Sequence, residues 1–112
     1  MMDAWGFSFP AEIIVCDPEG VIFDMSETAI QIYSAAGEAT LVGRNVFDHH
    51  EEPSRSQVRT LVQTQRTRMY TTQKAGQKKL VVIAPWHEAG VNAGFVLQVL
   101  DLPEKIPNIM KE

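Results

Sequence analysis

Three histidines, one cysteine and a few amphipathic aromatics are the side chains of this sequence with the means to do chemistry. His49 and His50 are adjacent, set between Asp48 and the pair Glu51 and Glu52, while His87 stands alone further on. An imidazole can ligate haem iron or a metal ion, which makes each of the three a candidate ligand. The commoner use of such a cluster is a solvated acidic turn whose imidazoles hydrogen-bond or cap the next helix. Four adjacent residues, moreover, cannot all converge on one ion. Cys16 has no partner for an internal disulfide and lies in an apolar, strand-like run, where cysteine acts as a small buried hydrophobe. The sequence has no Ser-His-Asp arrangement, glycine-rich phosphate loop or paired-cysteine spacing, so no enzymatic activity is expected. Tyr33, Tyr70 and Trp86 remain. Each offers an apolar body and a polar tip, suited to a small-molecule pocket and equally to a core. Gln98, a polar residue inside an apolar run, either faces solvent or holds a ligand's polar group.

The elements that must position these residues follow from local pattern. Residues 13–17 and 21–25 are two β-branched runs around Pro18-Glu19-Gly20, a hairpin signal: proline presets φ, Asp17 can bond its own turn, and Gly20 tolerates positive φ. Ser26 then caps a helix in which Ala29, Ile32, Tyr33 and Ala36 share one face, with Gly37 as its stop. Residues 38–50 read as short helical turns broken at Gly43. Ser54 is the expected cap of a second helix, whose apolar positions Val58, Leu61 and Val62 form one stripe. Residues 67–73 and 79–86 form a second hairpin through Ala75-Gly76-Gln77. Residues 87–92 connect it to a last strand over 93–102, where Phe95, Leu97 and Val99 alternate with Val96, Gln98 and Leu100. Two strands, a helical block and three strands give an α+β domain: an antiparallel sheet with helices on one side.

The 112 residues suit one domain with a real core. A net charge of −4 argues against a general nucleic-acid binder, which would present a basic face. No apolar run is long enough for a membrane span and the first residues lack the pattern of a signal peptide, so neither membrane nor nucleic acid is an expected partner. With one unpaired cysteine, a cytoplasmic, reducing compartment is the expectation.

Several words recur in a telling order. Val15-Cys16-Asp17-Pro18-Glu19-Gly20-Val21-Ile22 joins two apolar strands through Asp, Pro, Glu and Gly. Leu41-Val42-Gly43-Arg44-Asn45 follows, then His50 with Glu52-Pro53-Ser54-Arg55, Tyr70-Thr71, Gly76, Lys78-Lys79 and Pro85-Trp86. Gly94-Phe95-Val96 and Asp101-Leu102-Pro103 close the series. From about Phe9 to Pro103 the chain resembles a PAS domain, a sensory module of bacterial signalling proteins, and more narrowly the small stand-alone PAS modules. Two positions depart from the usual pattern: Ser26 stands where Asn is common, and Leu102-Pro103 replaces Ile-Thr at the output end.

The resemblance implies a five-stranded antiparallel sheet with helices packed on one face, in the order strand-strand-helices-strand-strand-strand. Residues 1–10 are then an N-terminal arm, 11–103 the PAS domain and 104–112 a short tail. It also implies a ligand cleft between the sheet and the long helix. Val58, Leu61 and Val62 would form one wall and inward residues of 69–72, 80–84 and 96–100 the other. Tyr33, His50, Tyr70, Trp86 and Gln98 complete the expected ligand-binding set. A flavin adduct would need a cysteine just after Gly-Arg-Asn, where Val46 stands, so that chemistry is not expected. Haem is kept as a minority alternative, because iron ligands of the family sit on the long helix and residues 58–65 contain no histidine. The cofactor is therefore left unknown. The expected role is sensory and regulatory: signal transduction through a small-molecule ligand, homodimer contacts or both. A module with a closed core, acting only by dimerisation or interaction, is the alternative. With nine residues after Pro103, output is expected through a signalling partner protein.

Overall fold

The computed structural model describes residues 2–37, 41–49 and 51–112. Its first hairpin pairs β1 (Glu12–Cys16) with β2 (Ile22–Met25), antiparallel and with a bulge between Val15 and Cys16. The Asp17 carboxylate accepts hydrogen bonds from the N–H groups of Glu19 and Val21, each at 2.9 Å, which closes the turn as the sequence predicts. Gly20 is required twice over. Its φ is +95°, and a Cβ there would lie 2.7 Å from the Phe47 ring.

Residues 41–45 hold a turn, closed by Arg44 N–H donating to the Leu41 carbonyl at 2.9 Å, and lie along the edge of this hairpin. Gly43 N–H donates to the Ile22 carbonyl at 2.7 Å, Ile22 N–H to the Arg44 carbonyl at 2.9 Å and Val46 N–H to the Gly20 carbonyl at 2.8 Å. The Asn45 side chain donates to the Glu19 carbonyl and accepts from Phe47 N–H, both at 3.0 Å. The free edge of β2 thus finds backbone partners, which overrides the helical turns expected for this stretch. Among the described residues of that stretch the 3-10 turn Val46–His49 matches them; residues 38–40 and 50 lie outside the described residues.

A short helix, α1 (Ala4–Ser8), occupies the N-terminal arm and packs on α2 (Glu27–Ala35). Ser26 caps α2 as expected: its hydroxyl accepts from Ala29 N–H at 3.3 Å. The predicted apolar stripe holds at Ala29, which is buried, and at Tyr33, which is half-buried. Ile32 is 40% exposed and Ala36 is also exposed, because that side of the helix faces a cavity and not the sheet. The expected cap of α3 (Ser54–Gln63) is corrected. Ser54 is the first helical residue, and the Glu52 carboxylate does the capping, accepting from Ser56 N–H at 2.9 Å and from the Ser56 hydroxyl at 2.8 Å. A carboxylate suits the positive end of a helix dipole, and these bonds hold Glu52 below the usual carboxylate range.

β3 (Arg68–Lys74), β4 (Gln77–Glu88) and β5 (Val91–Asp101) form a meander; β3 has the expected length, and β4 and β5 are longer than expected. The connections are two-residue turns, Ala75-Gly76 and Ala89-Gly90, with all four residues at φ between 51° and 80°. Turns of this hand match the twist of paired strands; alanine is an unusual first residue in them, which is why the sequence suggests longer loops. The sheet order is β2-β1-β5-β4-β3, with antiparallel pairing throughout, so the last strand lies at the centre. At Gly94, φ is +137° and a Cβ would overlap the Cys16 carbonyl, so only glycine lets β5 close onto the end of β1.

The core lies between one face of this sheet and the helices. Ile14, Cys16, Val81, Ile83, Phe95 and Leu97 meet Ile22, Met25, Ala29, Leu41, Phe47 and Val58 there. Cys16 is fully buried and its thiol is pushed up to about 12 by that burial, so it stays a protonated hydrophobe. Residues 103–112 extend from the sheet without regular structure, mostly exposed. Among the described residues no helix is long and apolar enough to cross a membrane.

Candidate functional site

Strand parity fixes what the helix side of the sheet presents. Three successive rows run across it. Asp101, Lys79 and Thr72 form one; Glu12, Val99, Val81 and Tyr70 the next; Ile14, Leu97, Ile83 and Arg68 the third. The face therefore grades from polar to apolar along the strand direction. α3 packs on β4 and on the 3-10 turn but stands off β3.

That gap is a cleft of about 600 Å3. Val58 and Leu61 of α3 line one side, with Ser54, Gln57 and Thr60, and Tyr70, Thr71 and Thr72 of β3 line the other. A second cavity of about 440 Å3 lies under α2 and shares Tyr70 and Thr72 with the first. Its apolar lining includes Ile14, Leu41, Val46, Val81 and Leu97; its polar lining is Glu12, Tyr33, His49, Lys79 and the shared Tyr70 and Thr72. Both volumes fall in the range of ~300–1,000 Å3 usual for small-molecule sites.

The electrostatics of the inner cavity centre on Glu12. This residue is only 8% exposed, and burial raises its carboxyl above the ordinary carboxylate range, an effect opposed by Lys79 and by the Tyr33 hydroxyl. The Tyr33 hydroxyl donates to Glu12 Oε2 at 3.5 Å, and Lys79 Nζ lies 3.8 Å from Asp101 Oδ1. The His49 ring sits 6.2 Å from that of Tyr33. Burial also raises the Tyr70 hydroxyl, which keeps it a neutral donor and acceptor.

Of the residues expected at the site, Tyr33, Val58, Leu61 and Tyr70 come together around these two cavities. Val62 faces instead a small hollow of about 170 Å3 that also borders Arg66, Pro85 and Phe95. Trp86 and Gln98 lie on the opposite face of the sheet. The Trp86 indole N–H donates to the Cys16 carbonyl at 3.2 Å and its ring packs against Phe23, while Gln98 pairs between Ile13 and Val82. Adjacent strand residues point to opposite faces, so Pro85 and Trp86 cannot both face the helices. His50 lies outside the described residues. The sequence reading missed Glu12 and Lys79. Carrying the alternation of Ile14 and Cys16 back one step, and that of Val81 and Ile83 back likewise, would have placed both on the cavity side.

No family model matches the chain, and no curated protein matches it. Solved structures do. One is the PAS domain of an HTR-like protein from Haloarcula marismortui, with a TM-score of 0.64 and 16% identity over 88% of this chain and 87% of that one. The sensor region of a sensor histidine kinase gives 0.62 at 23% identity over 80% of this chain. This chain spans only 38% of that region's length. A receptor from Vibrio cholerae, a dual PAS-haem oxygen sensor, gives 0.60 at 19% identity over 83% of this chain and 95% of that one. The five-stranded antiparallel sheet with its helices matches these neighbours in fold, and this chain folds as a PAS domain.

Proposed function

We propose that the chain is a PAS-type sensory module that takes a small amphipathic molecule into the cleft between the sheet and the helices. The observation behind this reading is the graded cavity pair: apolar along Ile14, Val81 and Leu97, polar at Glu12, Lys79 and Thr72, and open past Leu61 and Val58. Binding signals only if the ligand prefers one of two packings of α3 against the sheet, since equal affinity for both shifts nothing. α3 is the element suited to move, because it touches β4 and the 3-10 turn and leaves β3 uncovered. Output then passes to a signalling partner.

The test is native mass spectrometry of gently purified protein, followed by an NMR screen with small amphipathic compounds. A retained or added ligand should shift the amides of Leu61, Tyr70 and Thr72, and Leu61→Trp, which fills the cleft, should abolish binding. Shifts that avoid these residues, or unchanged binding to Leu61→Trp, would place the ligand site elsewhere.

A second mode, association with another copy of the chain, is favoured by the opposite face of the sheet. Phe23 is 45% exposed and Met69 65%, beside half-buried Ile13, Val15, Val82 and Val96, and α1 packs on α2 without covering them. We assign this face to homodimer contacts.

A further inference from the structure

Glu12 is a buried carboxylate with unused capacity. It is 8% exposed, and its carboxylate has one hydrogen bond among the described residues, the long one from Tyr33 at 3.5 Å. An ionised carboxylate can accept about four. The charged groups around it do not balance it. Lys79, from β4, already lies 3.8 Å from Asp101 of β5, so Glu12, Asp101 and Lys79 together leave one negative charge over. The remaining polar neighbours are uncharged hydroxyls and an imidazole: Tyr33 of α2, Tyr70 and Thr72 of β3, and His49 of the 3-10 turn. A desolvated anion in such a place is costly until a cation or several donors reach it.

We propose that the inner cavity takes a small amphipathic amine, its protonated amino group donating to the Glu12 carboxylate and its apolar body lying along Ile14, Val81, Leu97 and Val99. This rests on the cleft being a ligand site, as proposed above. An ammonium group brings both the missing positive charge and several N–H donors. A neutral alcohol brings one donor and leaves the charge uncompensated, and a carboxylate ligand meets Glu12 and Asp101 with like charge. Tyr33 and Tyr70 border the same space, and an aromatic side chain is a better neighbour for a cation than for an anion. The site is also matched in size: with about 440 Å3, it suits an amine carrying a single ring or a short chain. Glu12 also lines a smaller hollow of about 310 Å3 toward Pro10 and Thr28, from which solvent could satisfy it, and the experiment separates that case.

Three probes of one shape decide it: phenethylamine, phenylethanol and phenylacetate, each titrated into the full chain at neutral pH while the amides of Tyr70, Thr72 and Val81 are followed by NMR. The amine should bind about ten-fold or more tighter than the alcohol, and the acid weakest, as expected for a hydrogen bond to a charged group. In Glu12→Gln the amine should lose that advantage while alcohol binding persists, which also shows that the variant is folded. Alcohol or acid binding as tightly as the amine to the unaltered chain would overturn the amine assignment and leave the cleft a ligand site. An amine preference that survives Glu12→Gln would overturn it too. If none of the three moves those amides, the ligand reading of the cleft falls together with the inference.

Discussion

Glu12 has a consequence for stability as well as for recognition. Burial raises its carboxyl above the ordinary value of 4.5; Lys79 and the Tyr33 hydroxyl pull it back and Asp101 adds to the rise. A carboxyl whose folded value exceeds its unfolded one holds its proton more tightly in the native state. In the window from the ordinary value up to the folded one, the native state therefore binds more protons than the unfolded chain, and stability falls as pH rises. The contribution is fully present below 4.5 and is lost above the folded value. Glu12→Gln isolates it, because every other carboxylate titrates in both chains. Urea denaturation between about pH 4 and pH 7 should show the unaltered chain losing stability relative to Glu12→Gln as pH climbs. A difference that stays flat, or that slopes the other way, would mean that Glu12 is solvated or fully paired. Cys16, also buried on the helix-facing side of the sheet, gives no such signal at these pH values, since its thiol titrates only at about 12.

Elements are joined here by single side chains, and Ser26 is the clearest case. It is fully buried, and its hydroxyl donates to the Ala11 carbonyl at 2.7 Å while accepting from the N–H groups of Ile13 at 3.0 Å and Ala29 at 3.3 Å. One oxygen thus caps α2 and also bonds the backbone at the start of β1. Ser26→Ala would leave the buried Ala11 carbonyl and the half-buried Ile13 N–H without this partner as well as removing the cap, a loss of about 2–3 kcal/mol measured by urea unfolding. A loss near the few tenths typical of an exposed site would show that water replaces the hydroxyl. The sequence made the cap legible because Ser-Glu before an apolar helical period is a local signal. The bonds to Ala11 and Ile13 are not local, spanning 15 and 13 residues, and no pattern within a window reveals them. The same division holds for the other elements. The first hairpin, the alternation through Phe95, Leu97 and Val99, and the stripe of α3 were readable from residue types alone. The course of residues 41–46 along β2 was not, because it depends on an unpaired strand edge that exists only once the hairpin has formed. Trp86 was drawn into the expected site by its chemistry, and only its register opposite Gly94 shows that it belongs to the other face.

At the scale of the whole molecule, the sheet has two faces and the helices cover one. On the other, Val15, Val96 and Ala84 form one row, Ile13, Gln98, Val82 and Met69 the next, with Phe23 packed on Trp86 at one end. Within these rows Gln98 is the one polar side chain, and charges appear only at the margins, in Asp24 and Lys78. A continuous apolar surface of this kind seldom stays in water, and a second copy of the same face is the simplest cover for it. Sedimentation velocity should show the average mass rising with concentration toward a dimer. Val82 lies in the middle row, so in a two-fold arrangement Val82→Lys would bring two ammonium groups into one interface, and each must be desolvated near the other. The doubling makes this substitution far more damaging to association than to folding: Val82→Lys should remain monomeric at every concentration with an unchanged far-ultraviolet circular dichroism spectrum. If the unaltered chain is itself monomeric at high concentration, the face belongs to a different partner chain. If Val82→Lys dimerises as well as the parent, the contacts lie elsewhere, and the exposed aromatic residues of α1, Trp5 and Phe7, become the surface to test.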